Sequence, residues 1–304
     1  MKIGLMLPLG EPALQGEGGA YPRIRALAVA AEEHGLDSVW GADHVLFRDG
    51  SGETAGIEEC FTILTAVAAV TSRVEIGPLV LAVPFRNPAM TAKMATTLDE
   101  VSGGRFVAGL GCGWHEPEFE AFGYPFDHRV SRFDEALQII VPLLRTRRVD
   151  FHGRWHSASD AEIVPPGPRP GGPPILIAGK GPRMLRLVAR HADWWNAAWY
   201  GPPETAHNLD ERIRNLEAIC AEEGRDPSTL TLTAGVTVHF PHLRGAGDDD
   251  LPEEAMAGDA ETVGRMLAGY AAKRIQHLMV HLWPRTPEAV AELGRAAEVA
   301  RSLA

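Results

Sequence analysis

Short apolar runs alternate along the chain with longer stretches in which apolar residues recur every three or four positions. The short runs predict buried strands, and the longer stretches predict amphipathic helices. The predicted strands are Ile3–Leu7, Ser38–Trp40, Glu75–Leu81, Arg105–Gly109, Ile175–Ala178, Asp193–Ala197, Thr231–Val238 and Gln276–Leu282. The predicted helices are Tyr21–His34, Glu59–Val70, Pro88–Val101, Ser131–Arg145, Pro182–His191, Pro203–Glu223, Ala260–Lys273 and Pro287–Leu303. The pattern is a regular alternation in which each strand is followed by a helix.

This alternation predicts an α/β fold, a (β/α)8 TIM barrel with insertions. A doubly wound sheet is the alternative, and it would place G-x-G-x-x-G directly after the first strand. Instead, Gly16, Gly18 and Gly19 precede a helix through a long loop. We therefore expect one barrel domain over residues 1–304. Segments that interrupt the rhythm predict insertions near residues 45–58, 148–174 and 240–258.

Composition narrows the class of protein further. The net charge is −11 and no basic block of five or more residues occurs, which argues against a nucleic-acid surface. No stretch reaches the roughly 20 apolar residues that a membrane span needs. The cysteines, Cys60, Cys112 and Cys220, are far apart and odd in number, which favours a reducing cytoplasm over a disulfide framework. No CxxC spacing occurs in the sequence, and we expect no metal site.

The stretch after the fourth predicted strand carries the clearest local signal. Glycines at positions 109, 111 and 113 lead into Trp114 and its polar neighbours. Repeated glycines beyond a buried strand allow a close approach of the backbone to another group. In a barrel, the carboxyl ends of the strands form the face that binds ligands. This stretch therefore predicts part of a cofactor or substrate floor.

Polar and aromatic residues follow several other predicted strands and would meet at the same face. Several aromatic side chains at one mouth favour a flat, partly apolar ligand. A Gly-Lys-Gly turn before a helix offers free N–H groups, a helix dipole and a cation for a phosphate. The candidates are Asp43, His44, Cys112, Trp114, His115, Glu116, Gly179, Lys180, Gly181, Asn196, Trp199, Tyr200, His281 and Trp283.

Several of these residues also have a purely structural interpretation. Asp43 and His44 could form a buried pair that only holds its loop. Cys112 could be a small packing residue, since no paired histidine is evident in the sequence. The acidic run Asp248–Asp250 is typical of a solvated loop. The residues that could simply cap the helix that follows are His115, Glu116 and Glu118.

Four segments resemble the bacterial luciferase-like superfamily, and within it the enzymes that use the deazaflavin coenzyme F420. They are residues 28–44 (AVAAEEHGLDSVWGADH), 71–123 (from TSRVEIGPLVLAV to EFEAFG), 132–140 (RFDEALQII) and 173–196 (PPILIAGKGPRMLRLVARHADWWN). They span most of the first 200 residues in the right order. The resemblance implies the eight-stranded barrel independently. It also implies a homodimer, with the second and third helices as the usual contact.

The resemblance assigns functional positions one residue at a time. Asp43 and His44 match a pair that lines the deazaflavin site, and His44 is the candidate for proton transfer because an imidazole titrates near neutral pH. Leu79 and Val80 match a bulge that holds a non-proline cis peptide against the cofactor ring. The remaining implied cofactor contacts are Cys112 and Gly113 beside the ring and phosphate tail, and Gly179, Lys180 and Gly181 in the phosphate-binding turn.

One residue departs from the pattern of the F420-dependent sugar-phosphate dehydrogenases. Those enzymes place an acidic Glu after the fourth-strand glycine, where this chain has Trp114. Oxidation of glucose 6-phosphate is therefore not expected. We expect Trp114, together with Trp199 and Trp283, to wall an apolar substrate pocket.

These residues leave three functional hypotheses. The first is an F420-dependent oxidoreductase that transfers a hydride between the deazaflavin and a small organic substrate, and the motif Trp40–His44 favours it. The second is an FMN-dependent monooxygenase that uses reduced flavin and O2 and needs a flavin reductase as a partner. The third is a barrel that binds flavin without turnover, against which the retention of Asp43, His44 and the Gly-Lys-Gly turn argues.

Overall fold

The computed structural model describes residues 1–10, 20–48, 53–243 and 254–303. The acidic run at 248–250 and the glycines at 16, 18 and 19 lie outside these residues. The described strands are β1 (Lys2–Met6), β2 (Ser38–Gly41), β3 (Phe47–Arg48), β4 (Thr54–Ala55), β5 (Glu75–Pro78), β6 (Leu81–Ala82), β7 (Ala108–Gly111), β8 (Arg148–His152), β9 (Ser157–Glu162), β10 (Ile175–Ala178), β11 (Trp194–Tyr200), β12 (Thr231–His239), β13 (Met256–Ala257) and β14 (His277–Trp283).

Helices follow the barrel strands along the chain. They are α1 (Ala20–Glu33), α2 (Cys60–Ala68), α3 (Pro88–Val101), α4 (Glu116–Phe122), α5 (Arg129–Arg145), α6 (Pro182–His191), α7 (Leu209–Glu222), α8 (Ala260–Ala272) and α9 (Pro287–Leu303). The start of α3 illustrates the local cause, because the Asn87 side chain accepts the Met90 N–H and Pro88 occupies the first turn. No helix among the described residues is long and apolar enough to cross a membrane.

The strands form one mostly parallel sheet in the order β5-β2-β1-β14-β12-β11-β10-β7-β6, with β13 attached to β12. A parallel bridge between Ile76 and Phe106 joins the two ends of this order, so the sheet closes on itself. The closed ring with helices outside is the TIM-barrel architecture that the strand–helix alternation predicts. The predicted fold class is confirmed.

The third predicted strand is divided in the structure. Glu75–Leu81 was expected as one strand, whereas β5 ends at Pro78 and β6 begins at Leu81. Leu79 and Val80 lie between them and are joined by a cis peptide bond, as the family resemblance implies. The two residues therefore leave the sheet at the mouth of the barrel.

The fourth strand begins three residues later than predicted, at Ala108 rather than Arg105. The Arg105 guanidinium donates to the carbonyl oxygens of Ala68, Thr71, Val74 and Ser102. These bonds hold the segment before β7 against the turn that precedes β5. The bonds of a charged side chain thus precede the start of β7, and a pattern of apolar residues gives no indication of them.

Two helix starts also differ from the prediction. Helix α5 begins at Arg129, and its N-cap is His128 in a left-handed conformation with φ of 50°, so Ser131 is not the cap. The Ser131 hydroxyl accepts a hydrogen bond from Arg183 instead. Helix α7 begins at Leu209 rather than Pro203, because residues 201–207 form turns such as the Thr205 N–H to Pro202 carbonyl bond.

The predicted insertions contain short strands that are added to the barrel. Residues 45–58 contain the β3–β4 hairpin, residues 148–174 contain the β8–β9 hairpin, and the described part of 240–258 contains β13. An apolar cluster of buried side chains is formed by Met6, Trp40, Val107, Leu176 and Met279. Leu79 and Val80 pack against this cluster.

Candidate active site

A cavity of about 560 Å³ lies at the carboxyl ends of the barrel strands. The structure brings most of the predicted site residues together in its lining. Those residues are Asp43, His44, Leu79, Val80, Cys112, Gly113, Trp114, Gly179, Lys180 and Trp199. Gly181 and Trp283 lie outside the lining, because Gly181 is the N-cap of α6 and Trp283 is buried with its ring 5.7 Å from His281. The other candidates outside the lining are His115, Glu116, Tyr200 and His281, whereas Asn196 is part of it.

His44 is held by a carboxylate that is only 1% exposed. Its Nδ1 lies 2.9 Å from Glu118 Oε1, and Glu118 Oε2 accepts the Val45 N–H at 3.0 Å. Because a carboxylate accepts hydrogen bonds, this pairing favours the tautomer in which Nδ1 carries the proton. Nε2 then keeps its lone pair, so the imidazole can accept a proton from a group in the cavity.

Aromatic rings surround His44 at the mouth. Trp114 lies edge-on with its ring centre 5.6 Å away, and Phe47 does so at 5.7 Å. His115 stacks on Phe47 with a centroid distance of 4.4 Å, and its Nε2 accepts the Arg48 N–H at 3.0 Å. These contacts dock the β3–β4 hairpin on the start of α4 and restrict the orientation of the His44 ring.

The Asp43 carboxylate bonds to other groups of the protein. Oδ2 accepts the Ala82 N–H at 2.9 Å, and Arg86 forms a two-pronged ion pair with the two oxygens at 2.7 and 2.8 Å. Burial raises the pKa of Asp43 from its ordinary value, and the Arg86 guanidinium opposes that rise. The carboxylate therefore fixes the segment after Leu79 and Val80, which is the loop-holding role considered for it above.

The glycine spacing after the fourth strand serves contacts within the chain. A Cβ on Gly111 would lie 2.6 Å from Val80 Cγ2, and a Cβ on Gly113 would lie 2.5 Å from Phe119. Gly113 also has φ of 71°, which favours glycine. Gly111 thus lets β7 approach Val80 closely, and Gly113 lets the loop after β7 pack on Phe119, so both glycines shape the cavity that they line.

The turn after β10 combines a cation with a helix start. Lys180 is exposed and lines the cavity, while Trp195 Nε1 donates to the Gly179 carbonyl at 2.9 Å and fixes the turn. Partial burial, followed by the charge of Arg212, lowers the pKa of Lys180 from its ordinary value. Helix α6 begins directly after Gly181, so its free N–H groups point toward the turn. This arrangement suits an anionic group.

Cys112 has the environment of a weak nucleophile. Burial raises the pKa of its thiol, and Arg129 only partly opposes that effect. Its sulfur lies 3.7 Å from the neighbouring Gly113 carbonyl oxygen. Among the described residues, no cluster of histidine, cysteine or acidic side chains could hold a metal ion.

Two residues at the site were missed or misread in the sequence. Glu118 was interpreted as a helix-capping residue, yet it reaches across to His44. Arg86 was not considered, although it neutralises Asp43. Neither has a local sequence signal, because their partners lie 74 and 43 positions away along the chain.

Comparisons with known proteins agree with this architecture. The sequence model of the luciferase-like monooxygenase family matches residues 1–293. The pyrimidine monooxygenase RutA of Methylorubrum extorquens is 30% identical over 249 residues, which are 76% of this chain but only 66% of RutA. The chain thus spans slightly less than two thirds of that relative.

A second relative matches along nearly its whole length. The F420-dependent glucose-6-phosphate dehydrogenase of Kineococcus radiotolerans is 31% identical, with 91% of this chain and 92% of the dehydrogenase covered. Among solved structures, an F420-dependent secondary alcohol dehydrogenase in complex with an F420-acetone adduct superposes with a TM-score of 0.78, 20% identity and 99% coverage of both chains. At this identity the superposition demonstrates the shared fold.

Proposed function

The chain belongs to the luciferase-like monooxygenase family, and on that premise we propose that it is an oxidoreductase dependent on the deazaflavin coenzyme F420. It would transfer a hydride between the cofactor and a small organic substrate. The observation that carries this proposal is the His44–Glu118 pair at the edge of the cavity. A hydride transfer to or from oxygen-bearing carbon requires a proton transfer, and His44 Nε2 is placed to handle that proton.

The described residues fit a flat cofactor with a phosphate. A volume of about 560 Å³ falls in the range of small-molecule sites. Leu79, Val80 and Ala82 offer an apolar floor for a ring, and Lys180 with the start of α6 offers a place for a phosphate. When bound, the deazaflavin ring supplies the hydride chemistry. The protein contributes position, exclusion of water and the proton acceptor at His44.

Two further observations support F420 over FMN. The motif Trp40–His44 resembles the F420-dependent branch, which carries one histidine after the second strand where many FMN enzymes carry two. The relative that matches this chain over 92% of its own length is an F420-dependent enzyme. Glucose 6-phosphate is not the proposed substrate, because Trp114 stands where the sugar-phosphate dehydrogenases place an acid.

An FMN-dependent monooxygenase is the second candidate function. The match to RutA, a pyrimidine monooxygenase, favours it. Such an enzyme would use reduced FMN and O2, and a separate flavin reductase would be its partner. A homodimer and a cytoplasmic location stay predictions for either function.

The cofactor is tested by parallel titrations of the cofactor-free protein with F420 and with FMN, followed by fluorescence. We expect F420 to bind at least tenfold more tightly than FMN. A Lys180→Ala variant should weaken the binding of both cofactors, whereas Lys93→Ala should weaken neither, because Lys93 is a half-buried lysine outside the cavity lining whose ammonium donates to the Val164 carbonyl. Tighter binding of FMN, together with turnover that requires O2, would overturn the F420 proposal in favour of the monooxygenase.

A further inference from the structure

Strand β11 carries one more residue than its neighbour β12 near the mouth. Asn196 pairs with Thr233, but Trp199 pairs with Gly235, so three steps on β11 match two on β12. Side chains alternate between the two faces of a strand, and one extra residue reverses that alternation. Asn196 points into the barrel, where it bonds Thr233, and without the bulge Trp199 would point outward. The bulge therefore orients the Trp199 side chain toward the mouth of the barrel.

The bulge is held by specific bonds. Ala198 has φ of 116°, a conformation that residues with a Cβ rarely adopt and that is commonly found at functional sites. Its N–H donates to Asn196 Oδ1 at 3.2 Å. From outside the barrel, Arg212 donates to the Ala197 carbonyl at 3.0 Å. The fold therefore maintains an unfavourable backbone conformation at the residue before Trp199.

The Trp199 ring packs on Gly235 and His281, which together form its seat. A Cβ on Gly235 would lie 2.3 Å from the ring atom Cε3, so the indole lies directly over this glycine. The His281 ring stacks against the indole with a centroid distance of 4.2 Å and an angle of 17°. Trp199 nevertheless remains 42% exposed and lines the cavity. One part of the ring is thus fixed, and the uncovered part faces the space above the floor.

Three other polar side chains of the lining already have partners within the protein. The Asn196 amide bonds Thr233 and Ala198, Asp43 is paired with Arg86, and Glu118 holds His44. Lys180 lines the same cavity, and its positive charge would repel a cationic ligand, even though the face of a tryptophan ring attracts cations in general. A ligand on the Trp199 ring therefore meets an aromatic surface in the cavity that His44 also lines.

We propose that Trp199 is a specificity-determining residue, and that it selects a substrate with a planar, uncharged, unsaturated ring that stacks on the indole. This inference rests on the proposed function, since it names the class of substrate that the same cavity would take. Flat rings stack on tryptophan with offset geometry, whereas a saturated ring of the same size is puckered and makes fewer close contacts. A cationic ring would be repelled by Lys180. Once the phosphate of the cofactor occupies Lys180, an anionic ring would lose its hydration without a free lysine or arginine among the described lining residues to pair with.

Three probes of similar skeleton separate these properties. They are 2-naphthol, which is planar and neutral; 2-decalol, which is saturated and neutral; and 2-naphthoate, which is planar and anionic. Binding to the full-length protein is measured by isothermal titration calorimetry, with and without the cofactor that binds in the parallel titrations. We expect 2-naphthol to bind about three- to tenfold more tightly than 2-decalol and, when the phosphate of the cofactor occupies Lys180, than 2-naphthoate.

Two variants test the seat in different ways. Trp199→Leu removes the ring, and Gly235→Ala keeps it but places a methyl group where the ring lies. Both should remove the preference for 2-naphthol over 2-decalol, while Trp199→Phe should keep part of it. Trp155→Leu is the matched control, because Trp155 lies on the β8–β9 hairpin outside the lining and should leave the preference unchanged. Circular dichroism of each variant verifies that the barrel has folded.

The outcomes separate the two proposals. A preference for 2-naphthol that depends on Trp199 supports the substrate class, even if neither F420 nor FMN binds and the proposed function fails. If a cofactor binds but the wild-type protein binds 2-decalol as tightly as 2-naphthol, the substrate class is wrong and the proposed function stands. Equal preference in the wild type and in both Trp199→Leu and Gly235→Ala would likewise overturn the role of Trp199.

Discussion

The side chains at the mouth of the barrel have different roles, and the hydrogen bond between His44 and Glu118 shows this most clearly. Glu118 is buried and touches the imidazole only at Nδ1, so it acts on the reaction through His44. His44 is the residue that would contact the substrate, and Glu118 is a positioning residue. This difference gives the two residues different signatures in kinetics.

Replacement of His44 by alanine should leave cofactor binding intact and lower kcat by about 10²- to 10⁴-fold, since a proton acceptor is lost. Glu118→Gln should lower kcat by roughly ten- to a hundredfold, because a glutamine amide that donates to Nδ1 favours the wrong tautomer. Steady-state kinetics over a range of pH and cofactor titrations measure both effects.

The matched control for Glu118→Gln is Glu116→Gln, an exposed acid in the first turn of the same helix. It should leave kcat and the pH profile unchanged. Unchanged turnover in His44→Ala would contradict the role of His44. A Glu118→Gln variant with the wild-type pH profile would contradict the positioning role of Glu118.

At the scale of elements, the barrel depends on charged side chains that tie one βα unit to the next. Arg105 stands before β7 and donates to carbonyls on the segment from α2 to β5. Desolvation lowers the pKa of Arg105 from its ordinary value, which reflects a partly buried cation. The bonds to carbonyls replace the water that this cation loses on folding.

Arg105→Ala should lower the free energy of unfolding by about 2–4 kcal/mol, because it leaves several partly buried carbonyls without a donor. Chemical denaturation followed by tryptophan fluorescence measures this loss. Arg148→Ala is the control, since its side chain is 75% exposed and pairs with Glu162 on the β8–β9 hairpin. That variant should lose less than about 1 kcal/mol. Equal losses in the two variants would refute the role of Arg105 as a tie.

For the whole molecule, two histidines on β14 link stability to pH. Burial lowers the pKa of His277 to about 3 and that of His281 to about 4, so both are neutral in the folded protein. In the unfolded chain they would titrate near the ordinary value of about 6.5. Below that pH the unfolded state binds more protons than the folded state. The contribution of the two neutral histidines to the free energy of unfolding is therefore fully present above pH about 6.5, and it is lost as the pH drops toward 4.

The free energy of unfolding should therefore decrease by roughly 2–4 kcal/mol from these two groups between pH 7 and pH 5. Denaturant titrations at both pH values measure this decrease. His281→Phe keeps a ring on Trp199 and should reduce the pH dependence by about half, whereas the exposed His207→Gln should not change it. An unchanged pH dependence in His281→Phe would show that His281 has the same pKa in the folded protein as in the unfolded chain.

The sequence by itself determined the barrel and the position of its mouth. Strand and helix periodicity requires only local patterns, and the order of strands then follows because each βα unit packs beside the last. The same reasoning identified most of the residues that line the cavity, since the carboxyl ends of parallel strands share one face. The family resemblance added the cis peptide at Leu79–Val80, which no periodicity indicates.

Only the tertiary structure decided what those residues touch. Glu118 reaches His44 across 74 positions of sequence, and Arg86 reaches Asp43 across 43. The bulge that turns Trp199 inward depends on the register between β11 and β12, and its seat depends on a glycine and a histidine from two other strands. Such contacts arise from the closure of the sheet, which brings distant strands side by side. A one-dimensional pattern records which residues alternate, but register and packing decide which of them meet.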